Sequence, residues 1–399
     1  MSNQGPVPDR IKFTAMASVG LKFSWEKFVE RRMVGPTARR RREMKSTGKK
    51  SLGVQVRFVA QLLVLVVLGA QPAVAAFLPG VNSRTLTHAG VLRDFDVYAP
   101  ASYIGVQEVP VVVDLHGFDS DKVQHRGISG WTAKAETEGF LVVHPNGLFN
   151  SWNAGTCCGT AMTNGVDDVG FLRAVVEAVA AEGSVNAARI YVTGLSNGGA
   201  MSHRIACEAA DVFAAAAPMA FPVPYMDLDF SNQCLPERPI PVLAFMGLSD
   251  VLIPYSNGFF GGAIPSLDAW RAKNACGTGP LEVQETYGGS DCQVDTSCGG
   301  GAEVGLCSIR GAVLGGIFAV YSGHILYFNM DAVVLANRAW AFLDQFALPV
   351  AIIPVPEPGL LLLQAMALLV LLGLRRRRMA SPPVARHSWL RLFCRPRQR

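Results

Sequence analysis

The chain has 399 residues and a formal net charge of +5, which is distributed unevenly along its length. Residues 1–76 and 375–399 together hold 23 of the 36 Lys and Arg but only 4 of the 31 Asp and Glu. The body between them is acidic, with 13 basic and 27 acidic residues, which argues against a nucleic-acid-binding body. Half of the residues are hydrophobic, enough for one core in a single large α/β domain of about 270 residues.

The N-terminal region resembles a secretory signal in an overlong reading frame. Basic residues precede the apolar run 58–70, and the small residues 73–76 follow it. This run is short for a membrane-spanning helix, so we predict cleavage by signal peptidase near residue 75 or 76. Residues 1–43 show no apolar period. Either they are a disordered leader or the true start is Met33 or Met44, and we favour the misplaced start.

Through the body, predicted strands alternate with predicted helices. Apolar and β-branched runs predict a β pair at 85–98 and strands at 111–115, 140–144, 190–193, 213–218 and 241–246. Helical spacing predicts helices at 129–138, 169–181, 200–210, 266–274 and 331–346, and residues 277–305 are predicted to be a loop or β-hairpin. The alternation predicts an α/β fold with a mostly parallel central sheet and helices on both faces.

A candidate nucleophile lies where a predicted strand meets a predicted helix. Gly194, Ser196 and Gly198 fit the Gly-x-Ser-x-Gly nucleophile elbow, whose sharp turn needs glycine two residues on either side of the serine. The following helix directs free N–H groups at the serine, which favours an oxyanion there. Glycine makes up 40 of 399 residues, so the pattern alone also fits a structural turn. The strand before it and the helix after it favour the elbow.

A serine nucleophile needs a base and an acid that orients the base. In α/β hydrolases these follow in the chain order Ser, acid, His. Beyond the nucleophile helix, which carries His203, only His324 and His387 follow Ser196, and His387 lies in the arginine-rich tail, so His324 is the predicted base. Asp250 closes a predicted buried strand and is the predicted acid, with Asp268 as the alternative.

The backbone N–H groups of Phe118 and Asn197 are the predicted oxyanion donors. Phe118 lies in the loop after an early strand, from which the second donor comes in this fold. His116 in that loop precedes the nucleophile and is predicted to shape the loop. His203, on the nucleophile helix, is predicted to be structural. No metal or organic cofactor is predicted.

Eight of the nine cysteines fall in the acidic body: 157, 158, 207, 234, 276, 292, 298 and 307. None belongs to a Cys-x-x-Cys pair typical of metal sites. An even count in an exported domain predicts disulfides, although eight cysteines allow 105 pairings and the sequence does not choose among them.

Several motifs occur in order along the body. They are Leu-His-Gly at 115–117, Trp-Asn-Ala-Gly at 152–155 with Cys-Cys at 157–158, Val-Asp-Asp-Val-Gly-Phe at 166–171, the elbow, and Gly-Leu-Ser-Asp at 247–250 with Ile-Pro-Tyr at 253–255. Together they resemble extracellular polyhydroxybutyrate depolymerases and related feruloyl or acetylxylan esterases over roughly residues 85–346. The resemblance implies an α/β-hydrolase fold, an extracellular ester hydrolase, the triad Ser196, Asp250 and His324, and a Cys207–Cys234 pair.

The sequence departs from this family at the base. The family commonly carries its histidine in a Gly-rich stretch soon after the strand that corresponds to 307–309. Here residues 311–316 contain no histidine, and His324 follows an added apolar run at 317–321.

The C-terminus resembles bacterial PEP-CTERM sorting signals. Pro356-Glu357-Pro358 is followed by an apolar run at 359–374 and by four arginines at 375–378. The run can form a short membrane helix whose end the arginines hold in the cytoplasm. The resemblance implies an exosortase as processing partner and transient anchoring in the inner membrane of a Gram-negative-type bacterium. A plain C-terminal anchor is the alternative.

The sequence therefore predicts four regions: a leader with signal peptide (1–76), an esterase domain (77–349), a sorting signal (350–378) and a basic tail (379–399). We predict a secreted or surface serine esterase acting on an ester polymer or oligomer of the polyhydroxyalkanoate type, with Trp152, Phe259 and Phe260 as substrate-binding rings. A feruloyl or acetylxylan esterase is the alternative. A non-catalytic surface or matrix protein that keeps the fold is the second alternative.

Overall fold

A computed structural model describes residues 77–223, 230–256 and 261–349. The predicted leader, signal peptide, sorting signal and basic tail lie outside these residues, as do Phe259 and Phe260. Within the described part of the chain, no helix is both long and apolar enough to cross a membrane.

The described residues form one ten-stranded sheet with helices. The strands are β1 (Gly80–His88), β2 (Val91–Ala99), β3 (Val109–Leu115), β4 (Leu141–Pro145), β5 (Val185–Leu195), β6 (Ala215–Met219), β7 (Val242–Gly247), β8 (Glu282–Tyr287), β9 (Ser290–Asp295) and β10 (Val304–Ile309). The α-helices are α1 (Lys122–Ser129), α2 (Trp131–Glu138), α3 (Gly159–Thr163), α4 (Asp168–Glu182), α5 (Asn197–Glu208), α6 (Phe230–Gln233), α7 (Ala263–Lys273) and α8 (Leu335–Leu343). Short 3-10 turns occur at Leu148–Asn150, Gly299–Gly301 and Gly316–Tyr321.

The spatial order of the strands is β1-β2-β4-β3-β5-β6-β7-β10-β9-β8. The six central strands, from β4 to β10, pair in parallel. The β1–β2 and β8–β9 hairpins add antiparallel strands at the two margins. The predicted mostly parallel sheet is confirmed, and the molecule has the α/β-hydrolase fold.

Both faces of the sheet are buried by helices. Side chains of β3 alternate between two cores, with Val111 and Val113 in one and Val112 in the other. Helices α4, α5 and α7 cover the first core, and α2 and α8 cover the second. In the second core the Phe140 and Trp340 rings stack with centroids 4.1 Å apart. A strand buried on both faces is continuously apolar, as β3 is between Val111 and Val113.

The central strands end together at one edge of the sheet. Leu115 of β3 pairs with Gly194 of β5, and Leu195 pairs with Met219 of β6. Met219 in turn pairs with Phe245 of β7, and Gly247 pairs with Ile309 of β10. The loops after these strands therefore meet at the carboxyl edge, where open α/β sheets bind ligands.

Two predicted helices differ from the observed ones. The helix predicted at 129–138 begins at Trp131 as α2, and the helix α1 that precedes it was not predicted. Gly130 separates the two, because its left-handed φ of 77° ends α1 and begins α2. The closing helix begins at Leu335 rather than at 331. The Asn329 side chain bonds both the N–H (2.8 Å) and the carbonyl (2.8 Å) of Val333, which holds the preceding residues in a turn.

The eight cysteines of the body form four disulfides: Cys207–Cys234, Cys276–Cys298, Cys292–Cys307 and the neighbouring pair Cys157–Cys158. The prediction of disulfides and of the Cys207–Cys234 pair is confirmed. Asp295 lies close enough to Cys276 and Cys298 for the three to hold a metal ion, but both sulfurs are bonded in the disulfide and are not thiolates.

Candidate active site

Ser196 lies at the turn between β5 and α5. Its φ of 56° and ψ of −118° are uncommon for a residue with a side chain. The turn is held by a hydrogen bond from the Ser196 N–H to the Met219 carbonyl (2.8 Å), and the Ser196 carbonyl accepts the first helical bond from Ala200 (2.9 Å). The strand, the strained turn and the helix are the context that a nucleophile elbow requires.

The two glycines of the elbow are required by close packing. A Cβ on Gly194 would lie 2.7 Å from both the Gly198 carbonyl carbon and the Leu115 Cβ. A Cβ on Gly198 would lie 2.6 Å from the His116 carbonyl oxygen. Both distances are too short for a side chain, so the helix approaches the strands closely only because these positions lack one.

His324 and Asp250 form a buried pair at the same edge of the sheet. The His324 Nδ1–H donates to Asp250 Oδ2 at 2.7 Å. Asp250 Oδ1 accepts from the N–H groups of Leu252 (2.9 Å) and Ile253 (2.8 Å), which stabilises the charged carboxylate. With Nδ1 engaged, Nε2 is the nitrogen left to act as base, and no described residue bonds to it. Asp268, the alternative acid, has a side chain 62% exposed beside Arg271 on α7.

Gly323 brings the base to the acid across 74 residues of chain. It has a left-handed φ of 71°, and a Cβ there would lie 2.6 Å from the Asp250 nitrogen. Residues 310–334, here called the base loop, connect β10 to α8 and fold back onto the end of β7 at this point. The added apolar run therefore lengthens the loop without moving His324 away from Asp250.

The elbow and the acid–base pair lie two strands apart. Leu195, Met219 and Phe245 are in register across β5, β6 and β7. Neighbouring strands are about 4.8 Å apart, so the backbone at Ser196 lies roughly 10 Å from the end of β7. Two side chains can span this separation.

The loop after β3 packs against the elbow. A Cβ on Gly117 would lie 3.5 Å from Ser196 Cβ, which places the next residue, Phe118, beside the serine. None of the described residues accepts a hydrogen bond from the Phe118 N–H. The Asn197 N–H begins α5 and has no partner within the helix, because the first N–H groups of a helix never do.

His116 fixes this loop rather than taking part in proton transfer. Its Nδ1–H donates to the Gly117 carbonyl (2.8 Å), and its Nε2 accepts from the Gly147 N–H (2.9 Å). Burial lowers the pKa of His116 to about 4, so the ring is neutral at pH 7. His203 is also buried: it accepts from Trp270 Nε1 (2.9 Å), and burial lowers its pKa to about 3. Both agree with the predicted structural roles.

The Asn197 side chain holds the loop that follows β4, a role the sequence did not indicate. Its Oδ1 accepts from the Trp152 N–H (2.7 Å) and its Nδ2 donates to the Trp152 carbonyl (3.0 Å). The next residue, Asn153, donates its N–H to Asp168 Oδ2 (2.8 Å), and Asp168 forms a buried ion pair with Arg93 (2.8 Å). The motifs at 152–155 and 166–171 were visible in the sequence, but only the fold shows that they contact each other.

The prediction that the Trp152 ring binds substrate is wrong. The residue is fully buried in the first core, and its Nε1–H donates to the His116 carbonyl at 2.9 Å. The ring therefore supports the loop after β3 and has no surface left for a ligand. The predicted roles of Phe259 and Phe260 lie outside the described residues.

Comparisons with known proteins find similarity to one family model and to several esterases. Residues 159–240, which include the elbow, match the model of the prolyl oligopeptidase family. The chain is 31% identical over 271 residues to feruloyl esterase B of Piromyces equi, covering 64% of this chain and 46% of that protein.

Two shorter matches are to proteins with other named activities. The chain is 28% identical over 166 residues to the bifunctional acetylxylan esterase/xylanase XynS20E of Neocallimastix patriciarum, covering 42% of this chain and 22% of that protein. It is 35% identical over 119 residues to poly(3-hydroxyalkanoate) depolymerase C of Paucimonas lemoignei, covering 28% and 27%. The chain spans less than half the length of each of these three relatives.

Proposed function

We propose that this protein is a serine carboxylic ester hydrolase that acts through an acyl-enzyme. The observation that carries the proposal is the buried His324–Asp250 pair at the sheet edge where Ser196 lies on a strained strand-to-helix turn. The esterases among its relatives support the same chemistry. Asp250 holds the His324 ring through Nδ1 and leaves Nε2 to act as the base, as a serine hydrolase requires.

In the proposed reaction, Ser196 Oγ attacks the ester carbonyl carbon while His324 Nε2 takes its proton. Asp250 keeps the His324 ring in the tautomer with hydrogen on Nδ1 and stabilises the imidazolium. The N–H groups of Phe118 and Asn197 bind the oxyanion of the tetrahedral intermediate. The intermediate expels the alcohol, which takes the proton from His324. Water then gives a proton to His324 and attacks the acyl-enzyme carbonyl. His324 returns this proton to Ser196 Oγ as the bond to the acyl group breaks, which releases the carboxylic acid and restores Ser196.

Substitutions at the triad test the proposal. Ser196→Ala and His324→Ala should each remove nearly all turnover of a soluble ester, and the double variant should cost little more, because triad members act as a unit. Asp250→Asn should cost less, since the serine, the histidine and the oxyanion donors remain. A His324→Ala variant that hydrolyses esters near the parent rate would reject the triad. An inactive parent with intact fold would favour the non-catalytic surface or matrix protein.

For the acyl group we propose hydroxyalkanoate esters, with feruloyl or acetylxylan esters as the alternative. The match to a depolymerase supports the first, and the longer match to a feruloyl esterase is the observation that favours the second. Comparing kcat/KM on hydroxybutyrate oligomers, feruloyl esters and acetylated xylan decides between them. Faster turnover of feruloyl esters would reverse the order.

We further propose that signal peptidase removes residues 1–75 and that an exosortase cleaves near Pro358, after transient anchoring in the inner membrane, to deliver the protein to the cell surface or matrix. The motifs at both ends of the sequence support this route. Intact-mass measurement of protein released by the native host tests it. A released form that still carries the tail after residue 358 would contradict the sorting step.

A further inference from the structure

The base loop exposes apolar side chains and has no Asp, Glu, Lys or Arg in the twenty residues between Arg310 and Asp331. Six large apolar side chains in this stretch are between 48% and 85% exposed: Val313, Ile317, Phe318, Val320, Phe328 and Met330. These six residues are called the apolar patch here. Single exposed apolar residues are ordinary on protein surfaces, but a group of them on one loop marks an interaction site.

The patch adjoins the loop that carries the proposed acid. Leu248, Val251 and Leu252 follow β7 and are also exposed. The Val251 N–H donates to the Ser322 carbonyl (3.3 Å), which joins the loop after β7 to the base loop, and the Leu248 N–H donates to the carbonyl of Ile309 (2.8 Å), the last residue of β10. The apolar surface therefore continues from the base loop onto the loop that carries Asp250.

The exposed apolar side chains lie on a loop that is held by internal hydrogen bonds. The Ala312 N–H donates to the Phe328 carbonyl (2.8 Å), and the Gly323 N–H donates to the Ala312 carbonyl (3.0 Å). The Leu314 N–H donates to Ser322 Oγ (2.9 Å), and an ion pair joins Arg310 to Asp331 at the two ends. Because these bonds fix the loop, its apolar side chains are held in solvent beside His324.

A groove of about 470 Å³ runs along this patch. Its lining includes Phe318, Tyr321, Ile325 and Phe328 from the base loop and Ile128 from α1. These side chains offer aromatic and aliphatic surface, and Tyr321 alone among these five carries a polar group. A groove of this kind fits an apolar chain and gives few partners to the hydroxyl groups of a sugar.

We propose that the apolar patch is the surface through which this protein docks on a water-insoluble, uncharged polyester. The inference rests on the ester-hydrolase function proposed above and specifies the physical state of its substrate. The occupant is uncharged because the patch offers no ionic partner, and apolar because burying these side chains is the interaction they provide. Docking there places the polymer surface against the loop that carries His324, so an ester at that surface lies near the triad.

Adsorption measurements on matched variants of the full chain test this proposal. Val313→Asn/Ile317→Asn changes two patch residues that are 79% and 85% exposed. The control Ile104→Asn/Val106→Asn changes residues that are 74% and 77% exposed in the loop before β3, at the opposite edge of the sheet. All variants share the same termini, so adsorption through the apolar runs 58–70 and 359–374 is common to them. The probes are protein-free poly(3-hydroxybutyrate) particles, acetylated xylan particles and the soluble ester p-nitrophenyl butyrate.

We expect the patch variant to adsorb on polyester at least about tenfold more weakly than the parent and the control, because two large apolar side chains lose their burial. Adsorption of the parent should persist at high salt, since no exposed charge pair is involved. Turnover of the soluble ester should stay within about twofold in all three proteins, because neither pair of substitutions touches the triad.

Three outcomes would overturn the docking proposal: equal adsorption of patch variant and parent on polyester, preferential adsorption of the parent on acetylated xylan, or a parent dimer in sedimentation that the patch variant abolishes. The last would mean that a second copy covers the patch. Patch-dependent adsorption without turnover of the soluble ester would support docking and reject the ester-hydrolase function, so the two failures are distinguishable.

Discussion

Asn197 contributes to the site through two different groups. Its backbone N–H begins α5 beside Ser196, whereas its side chain bonds both polar groups of the Trp152 backbone. The residue after the nucleophile thereby fixes the loop after β4, which in turn supports His116 through the Trp152 indole. The positions of both proposed oxyanion donors thus depend on one buried amide.

We predict that Asn197→Ala lowers kcat more than it raises KM. The backbone N–H remains, but the Trp152 N–H and carbonyl lose their partners, which costs about 1–3 kcal/mol of unfolding free energy for each buried group left unsatisfied. If the displaced oxyanion donors raise the activation free energy by about 1.4 kcal/mol, kcat falls about tenfold. Steady-state kinetics and urea unfolding measure both effects. Asn337→Ala, on the exposed side of α8, is the control, and equal values for the two variants would contradict the prediction.

The base loop is the element on which the site most depends. Gly323 has a left-handed φ of 71° and lies against the backbone of the acid loop, whereas Gly316 in the same loop has a φ of 62° and no atom within 4 Å of where a Cβ would be. At both positions a residue with a side chain would be strained by the left-handed backbone, but only at Gly323 would its Cβ also meet neighbouring atoms.

Gly323→Ala should accordingly cost more than Gly316→Ala. The second change carries only the strain of a left-handed alanine, about 1–2 kcal/mol, and leaves the triad in place. The first also forces the base loop away from Asp250, so kcat/KM should fall by about a hundredfold or more, comparable to the loss of a well-placed catalytic group. Esterase assays with thermal unfolding of both variants provide the measurement. Similar kcat/KM for the two would show that the contact at Gly323 does not position the base.

The elements that local chemistry determines were predictable. Gly194, Ser196 and Gly198 stand within five residues, and the strand and helix around them follow from apolar spacing. The pairing of His324 with Asp250 depends on contacts between residues 74 apart, and the sequence supplied only their order along the chain. Gly130 illustrates a different failure: in the sequence it resembles a helix interior, but its left-handed backbone separates α1 from α2. Trp152 was misjudged because an aromatic ring in a Gly-rich loop is typical of ligand contacts and of cores alike.

Buried histidines give the whole molecule a stability that depends on pH. In the folded protein the pKa is about 4 for His116 and about 3 for His203, below the ordinary value of 6.5. Between these values the unfolded chain binds protons that the folded chain does not bind. Acidification from pH 6.5 towards pH 4 therefore lowers the free energy of unfolding, by up to about 1.4 kcal/mol per pH unit for each histidine.

His203→Gln should reduce this dependence. Glutamine keeps a polar group near Trp270 but does not titrate. The slope of unfolding free energy against pH should therefore fall by up to about 1.4 kcal/mol per pH unit between pH 6.5 and 4.5, which corresponds to one proton. The variant loses packing and is less stable at pH 7, which is why the slope and not the absolute value is the readout. Urea unfolding at several pH values measures it. Parallel curves for parent and variant would exclude His203 as a source of the acid sensitivity.

The position of β10 in the chain determines when, during synthesis, the proposed esterase site can be completed. β10 lies beside β7 in the sheet but follows it in the chain by two further strands, β8 and β9. A ribosome delivers the elbow first, then the acid, and the base only when residue 324 has emerged. On the proposed chemistry, a growing chain carries its nucleophile through more than a hundred residues of synthesis without a base to activate it. Catalysis therefore starts only when the last central strand has joined the sheet, and a chain that terminates early is inert towards esters.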